Sequence, residues 1–263
     1  MQKSLLPVIA GLTALFLGCV IAHFSDMLVH GRQYDDAYIT YRYAVNLAEG
    51  RGFVFNTYER VNSASSFLYT VLLAGFHALG FQDLERVAAL LGLASGCGLI
   101  AFTAAAVLRI TAHPVFTALL MVPLFLSGAL AGWAVSGMET VFFSMLIMAF
   151  LWAYLTDRFA VSLLLLAACL LTRFEAVLLL LSLLAAEWSA GGYRLKNRRL
   201  AACAAAGALA FGGLMFFYAA YYGSAVPHPV LLKKYAVYYS LPLPVALEEA
   251  LTYLIKNFAL YTL

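Results

Sequence analysis

Two adjacent carboxylates, Asp35 and Asp36, stand out in this 263-residue chain, within Tyr34-Asp35-Asp36-Ala37-Tyr38-Ile39-Thr40-Tyr41-Arg42-Tyr43. Neighbouring carboxylates can supply a general base or hold a divalent cation, and amide groups at a helix start favour a bound anion. Capping explains part of the same pattern, because aspartate is among the preferred N-caps. A second stretch, Thr172-Arg173-Phe174-Glu175, sets ionisable residues between two short apolar runs. Such residues are costly in lipid and face a bundle interior or an aqueous cavity. A guanidinium there suits a phosphate; the alternative is a plain structural Arg173–Glu175 pair.

Other candidates are less specific. Ser136-Gly137-Met138-Glu139-Thr140 begins an apolar helix, so Glu139 is either a dipole partner or a site residue. Tyr43, Asn46, Glu59 and Arg60 follow the aspartates, and an exposed Glu59–Arg60 pair ordinarily belongs to a solvated face. Tyr221-Tyr222-Gly223 leads to His228, flanked by Pro227 and Pro229, and then to Lys233 and Lys234. A lone histidine between prolines reads as a loop residue, whereas two lysines on an outer loop suggest an anionic ligand.

The elements that must hold these residues are helices in a membrane. The chain is 64% apolar and 11% charged, against about 45–50% and about 25% in soluble domains, and its mean hydropathy is +0.90. That excludes a soluble globular protein, a disordered chain and a nucleic-acid binder. The net charge of +3 is too small to imply a polyanion partner. Apolar runs cover 5–24, 67–81, 87–108, 115–135, 141–155, 160–172, 176–188, 200–222 and 245–263, where roughly 20 residues span a bilayer core. The first reads as an uncleaved transmembrane helix, and the polar stretch 23–66 as a loop beyond it.

Ile39, Tyr43 and Leu47 recur every four residues, which predicts an amphipathic helix over 37–49 stopped by Gly50 and Gly52. Asp36 is then the N-cap and Asp35 lies outside the helix, which favours Asp35 as the base. Arg194, Lys196, Arg198 and Arg199 mark the cytoplasmic side, with Lys3, Arg109 and Arg158 as lesser marks. Parity then puts the acidic loop, Glu139, Arg173–Glu175 and the loop after Gly223 on the outer face, provided 67–81 does not cross. Cys19, Cys97, Cys169 and Cys203 sit in apolar runs without metal-ligand spacing and read as buried thiols.

In this order, the stretches resemble a bacterial branch of the polyprenyl-phosphate-sugar-dependent GT-C glycosyltransferases, the branch that includes the mycobacterial terminal arabinofuranosyltransferase. The resemblance rests on Asp35-Asp36-Ala37, Ile39, Arg42-Tyr43-Ala44, Asn46-Leu47, Gly50, Gly52, Val54, Asn56 and Glu59-Arg60-Val61. Ser136–Thr140, Thr172–Ala176 and Tyr221–Lys233 match later motifs; Tyr58 departs from the loop motif, and Phe174, Ala176, His228-Pro229 and Leu232 from the later ones. It covers roughly 30–235.

The resemblance implies one all-α, polytopic GT-C-like transmembrane domain over 1–263, with 23–66 as its first extracytoplasmic loop. Members are commonly longer, so the chain is expected to be an N-terminal part of a longer enzyme or a shortened homologue. The implied activity is inverting transfer of a sugar from a polyprenyl-phosphate donor to a hydroxyl of a glycan, lipid or protein acceptor. It would occur at the outer face of a bacterial cytoplasmic membrane, in cell-envelope assembly. Asp35 or Asp36 would act as general base, and Arg42, Arg60, Arg173 and Lys233 would meet the phosphate. A divalent cation, Mg or Mn, is left open, with Asp35 and Asp36 as its ligands. Rival readings are a lipid-sugar flippase or transporter, and a non-catalytic subunit of an envelope assembly.

Overall fold

A computed structural model describes residues 33–64, 66–126, 128–191 and 198–226, with a few single positions outside these ranges. Every regular element among them is helical: α1 (Asp35–Ala48), α2 (Phe67–Ala78), α3 (Leu84–Thr111), α4 (Pro114–Leu126), α5 (Gly128–Val135), α6 (Thr140–Leu155), α7 (Phe159–Thr172), α8 (Ala176–Gly191), α9 (Arg198–Gly207) and α10 (Gly213–Tyr222). A π-type turn at Ala208–Gly212 joins α9 to α10, making one apolar rod over Ala201–Tyr222. This rod and α3 are long and apolar enough to cross a membrane. With 28 residues, α3 extends about 42 Å at 1.5 Å per residue, beyond the roughly 30 Å of a hydrocarbon core. Their outer faces carry large apolar side chains: Leu209 is 78% exposed and Phe216 74%, as are Leu164 (72%) on α7 and Leu178 (68%) on α8.

The helices run between two ends, and contacts at those ends give their directions. At one end, Gln33 Nε2 donates to the carbonyls of Glu85 (3.1 Å) and Val135 (3.3 Å). These contacts bring together the start of α3, the end of α5 and the start of α1. Glu139, before α6, meets Arg173, after α7, at this same end. At the other end, Arg109 Nε donates to the Leu155 carbonyl (3.3 Å), and Arg199 lies 3.7 Å from Asp157. There the Arg158 guanidinium covers the Trp152 ring. Thus α3, α6 and α8 run away from the first end, whereas α4–α5, α7 and α9–α10 return to it.

The short helix α2 does not follow this alternation. Its first residue, Phe67, packs on Phe53 and Phe217 at the first end, and α3 begins at that end too. Its last turn brings His77 Nε2 to 3.9 Å from Glu49, just past α1. It therefore lies beside α1 and runs in the same direction, with both its start and the start of α3 at the first end.

Close packing depends on small residues. A Cβ added to Gly92 of α3 would run into the carbonyl oxygen of Ala134 and lie 2.9 Å from its carbonyl carbon, so glycine lets α3 and α5 touch backbone to backbone. The larger core gathers Leu73, Phe142, Leu146, Phe150, Leu166 and Leu170 from α2, α6 and α7. The sequence runs 5–24 and 245–263 fall almost entirely outside the described residues.

Candidate functional site

The helix bearing the aspartates begins earlier than its apolar spacing predicts. The Tyr34 amide donates to the Ser136 carbonyl (3.2 Å), and the Tyr34 ring stacks on Trp133 with centroids 5.0 Å apart. These tethers fix the backbone at Tyr34, which becomes the N-cap, and the helix covers Asp35–Ala48 rather than 37–49. Asp36 is therefore not the N-cap, and Asp35 is not outside the helix. Neither side chain caps it; Asp35 Oδ1 accepts from the Asp36 amide (3.0 Å), and both carboxylates are exposed in the first turn. Their negative charge still favours the helix start through its dipole.

The predicted face is present, and wider than expected. Ile39, Tyr43 and Leu47 pack with Phe53 and Ala64, while Ala37, Tyr41 and Ala44 pack into the main core. Gly50 and Gly52 take φ of +74° and +94° and end the helix. The loop beyond is held from within. Asn46, fully buried, donates Nδ2 to the carbonyls of Val54 (2.8 Å) and Phe55 (2.9 Å), and its Oδ1 accepts from Arg51 Nε (2.8 Å). Tyr43, also fully buried, donates its hydroxyl to the Val61 carbonyl and accepts from the Ser63 amide (3.0 Å). Both site candidates thus anchor the loop and are closed to the surface.

Other candidates are at the surface. Arg42 Nε donates to the Phe55 carbonyl (3.3 Å), and the Arg60 guanidinium lies 4.6 Å over the Tyr221 ring. Glu59 accepts from Asn56 Nδ2 (2.6 Å) and is exposed. The Tyr222 hydroxyl reaches the Phe53 carbonyl, so the loop is pinned to the end of α10. His228 and Lys233 lie outside the described residues.

Beside α1, the Ser136–Glu139 turn and the Arg173–Glu175 turn complete the cluster. Arg173 Nη1 donates to Glu139 Oε1 (3.2 Å), while Nε and Nη2 donate to Oε2 (3.3 Å) and Oε1 (3.1 Å) of Glu175. Glu139 is only 1% exposed, and its Oε2 has no hydrogen-bond partner among the described residues. Burial pushes its carboxyl above the ordinary carboxylate range; its own backbone amide and Arg173 oppose this, and the charges of Glu175 and Asp36 add to it. Burial works against the Arg173 charge, but Glu175 and Glu139 more than offset it and raise its pKa. The expected Arg173–Glu175 pair is present, but joined by a buried third member.

No family model, curated protein or solved structure matches the chain. What the residues can do rests on their geometry.

That geometry has supports that the sequence reading missed. Gly137 (φ +81°) passes so close to α1 that a Cβ there would meet Tyr41, Gln33 and Ala37. The Tyr41 hydroxyl reaches Gln33 Oε1, so Gln33 is held at both ends of its amide. Only the position of Gln33, directly before Tyr34-Asp35-Asp36, hinted at this. As for metals, no group of three or more His, Cys, Asp or Glu side chains able to hold an ion occurs among the described residues. Two adjacent aspartates could still supply part of the shell of a Mg-like ion, which commonly takes one or two carboxylates and completes its shell with phosphate and water.

Proposed function

We propose that this chain is a multi-pass membrane glycosyltransferase of the GT-C type. It moves a sugar from a polyprenyl-phosphate donor to an acceptor hydroxyl on the outer face of a bacterial cytoplasmic membrane, with inversion. The observation that carries this reading is the segregation of charge. Asp35, Asp36, Glu139 and Glu175 gather with Arg173 at one end of the helices, where acids predominate, and Arg109, Arg158 and Arg199 outnumber Asp157 at the other. Positive-inside bias puts the second end in the cytoplasm, so the carboxylates face outward, where a lipid-linked donor and its acceptor meet. The exposed leucines and phenylalanines along the helices suit a lipid surroundings and would be a liability in water.

In the reaction, an aspartate accepts the proton of the acceptor hydroxyl as its oxygen attacks the anomeric carbon. The bond from that carbon to the phosphate oxygen breaks, and its electron pair leaves with the lipid phosphate. Arg173, with Arg42 and Arg60, supplies positive charge to the departing group. Asp35 and Asp36 are both candidates for the base, exposed side by side in the first turn of α1. Asp35 is the first residue of α1 rather than outside it, so position relative to the helix does not separate the two.

A flippase or transporter would need a polar path between the ends, whereas the described charged groups collect at the ends. The test is to incubate the purified protein with polyprenyl-phosphate sugars and an acceptor and to measure release of polyprenyl phosphate. Release that requires Asp35 or Asp36 supports the reading; no release from any donor with the full-length gene product overturns it.

A further inference from the structure

The arrangement around Arg173 contains more than a pair of charges. Its guanidinium presents two donor edges to two different carboxylates. The Nη1 side goes to Glu139, 1% exposed and fixed in the protein. The Nε–Nη2 edge grips both oxygens of Glu175, whose side chain is 61% exposed. Such a two-point grip is how an arginine holds two oxygens of a phosphate. An added phosphate would gather three anions around one cation, so a phosphate must exchange with a carboxylate rather than join them. The exposed one can leave. Glu139 cannot, and its second oxygen, buried and without a hydrogen-bond partner among the described residues, can take up another guanidinium N–H as Arg173 turns.

We propose that Glu175 is an internal occupant of the anion seat on Arg173, displaced by the phosphate of a lipid ligand while Glu139 keeps hold of the guanidinium. Glu139 is a positioning residue, and Glu175 sets how strongly the seat discriminates against weaker anions. The proposal rests on the lipid-phosphate donor reading above. It differs from a plain ion pair in a measurable way. If Glu175 merely neutralises Arg173, removing its charge leaves phosphate binding unchanged or weaker; if it occupies the seat, removing its charge strengthens binding.

The experiment measures affinities of the full chain in detergent for polyprenyl phosphate, for polyprenol of the same length and for inorganic phosphate. Wild type, Glu175→Gln, Arg173→Lys and the double variant are compared. Wild type should prefer polyprenyl phosphate to polyprenol. Glu175→Gln, at an exposed position where folding is not at stake, should tighten polyprenyl phosphate binding by about two- to fivefold, the weight of an exposed ion pair. Arg173→Lys should weaken binding about tenfold by losing the fork, and in that background Glu175→Gln should give no gain. Unchanged or weaker binding by Glu175→Gln, or a gain that persists with lysine at 173, overturns the exchange. Absence of any preference for polyprenyl phosphate over polyprenol overturns the donor reading, and this proposal with it. Inorganic phosphate binding as tightly as the lipid assigns the seat to free phosphate and overturns the lipid source alone.

Discussion

Replacing each aspartate of the α1 start by asparagine separates chemistry from architecture, because the structure limits what either substitution can cost in folding. The N-cap is Tyr34, and neither aspartate side chain makes a capping bond. Asn at position 35 can keep the acceptor that Asp35 Oδ1 offers to the Asp36 amide. What each substitution loses is one negative charge in the first turn, about 0.3–1 kcal/mol at an exposed helix start. Both variants should therefore express and melt close to wild type. A general base contributes about 10²–10⁴-fold, so at least one of Asp35→Asn and Asp36→Asn should lower transfer by that factor while leaving donor binding intact. The assay is polyprenyl phosphate release from a lipid-phosphate sugar, in detergent or liposomes, with donor affinity measured separately. Wild-type rates in both variants refute the catalytic role of the loop.

Other outcomes follow from the same geometry. Cysteines replacing Tyr58, 85% exposed at the first end, and Asp157, at the second, should react with an impermeant maleimide from opposite sides of a sealed membrane. Labelling of both from one side sinks the two-ended arrangement. Because burial raises the Glu139 pKa, wild type gains stability from the neutral carboxyl at low pH and loses it as pH rises through the raised value. Glu139→Gln has no such loss, so the melting temperature of the variant minus that of wild type should increase with pH above the ordinary glutamate range. A decrease would mean that Arg173 outweighs burial. Gly137→Ala should destabilise the fold by about 1–3 kcal/mol, combining a strained positive φ with a Cβ driven into Tyr41 and Ala37. Denaturant midpoints near wild type would show that the turn does not press on α1.

Much of the architecture is legible in the sequence, for a physical reason. Apolar runs long enough to bury or to meet lipid must be helical, since a helix satisfies its own backbone. The boundaries of α3, α6, α7 and α8 accordingly fall within a few residues of the runs 87–108, 141–155, 160–172 and 176–188. The spacing of Ile39, Tyr43 and Leu47 predicts α1; charge parity gives a stay of 67–81 at one end only as a condition, and the packing of Phe67 and His77 is what places α2 there. What periodicity could not give was where α1 begins, because contacts distant in sequence decide it. The Ser136 carbonyl and the Trp133 ring fix Tyr34, and with it the place of both aspartates. Nor could a local reading separate surface candidates from buried clamps. Tyr43 and Asn46 share a motif with Arg42, yet the helix turns them inward to tie down their own loop. The Arg173–Glu175 pair was visible as neighbours in sequence. That Glu139, 34 residues earlier, grips the same guanidinium depends on α6 and α7 lying antiparallel. An ion pair between segments so far apart is made by the packing of those helices, and no spacing within either one encodes it.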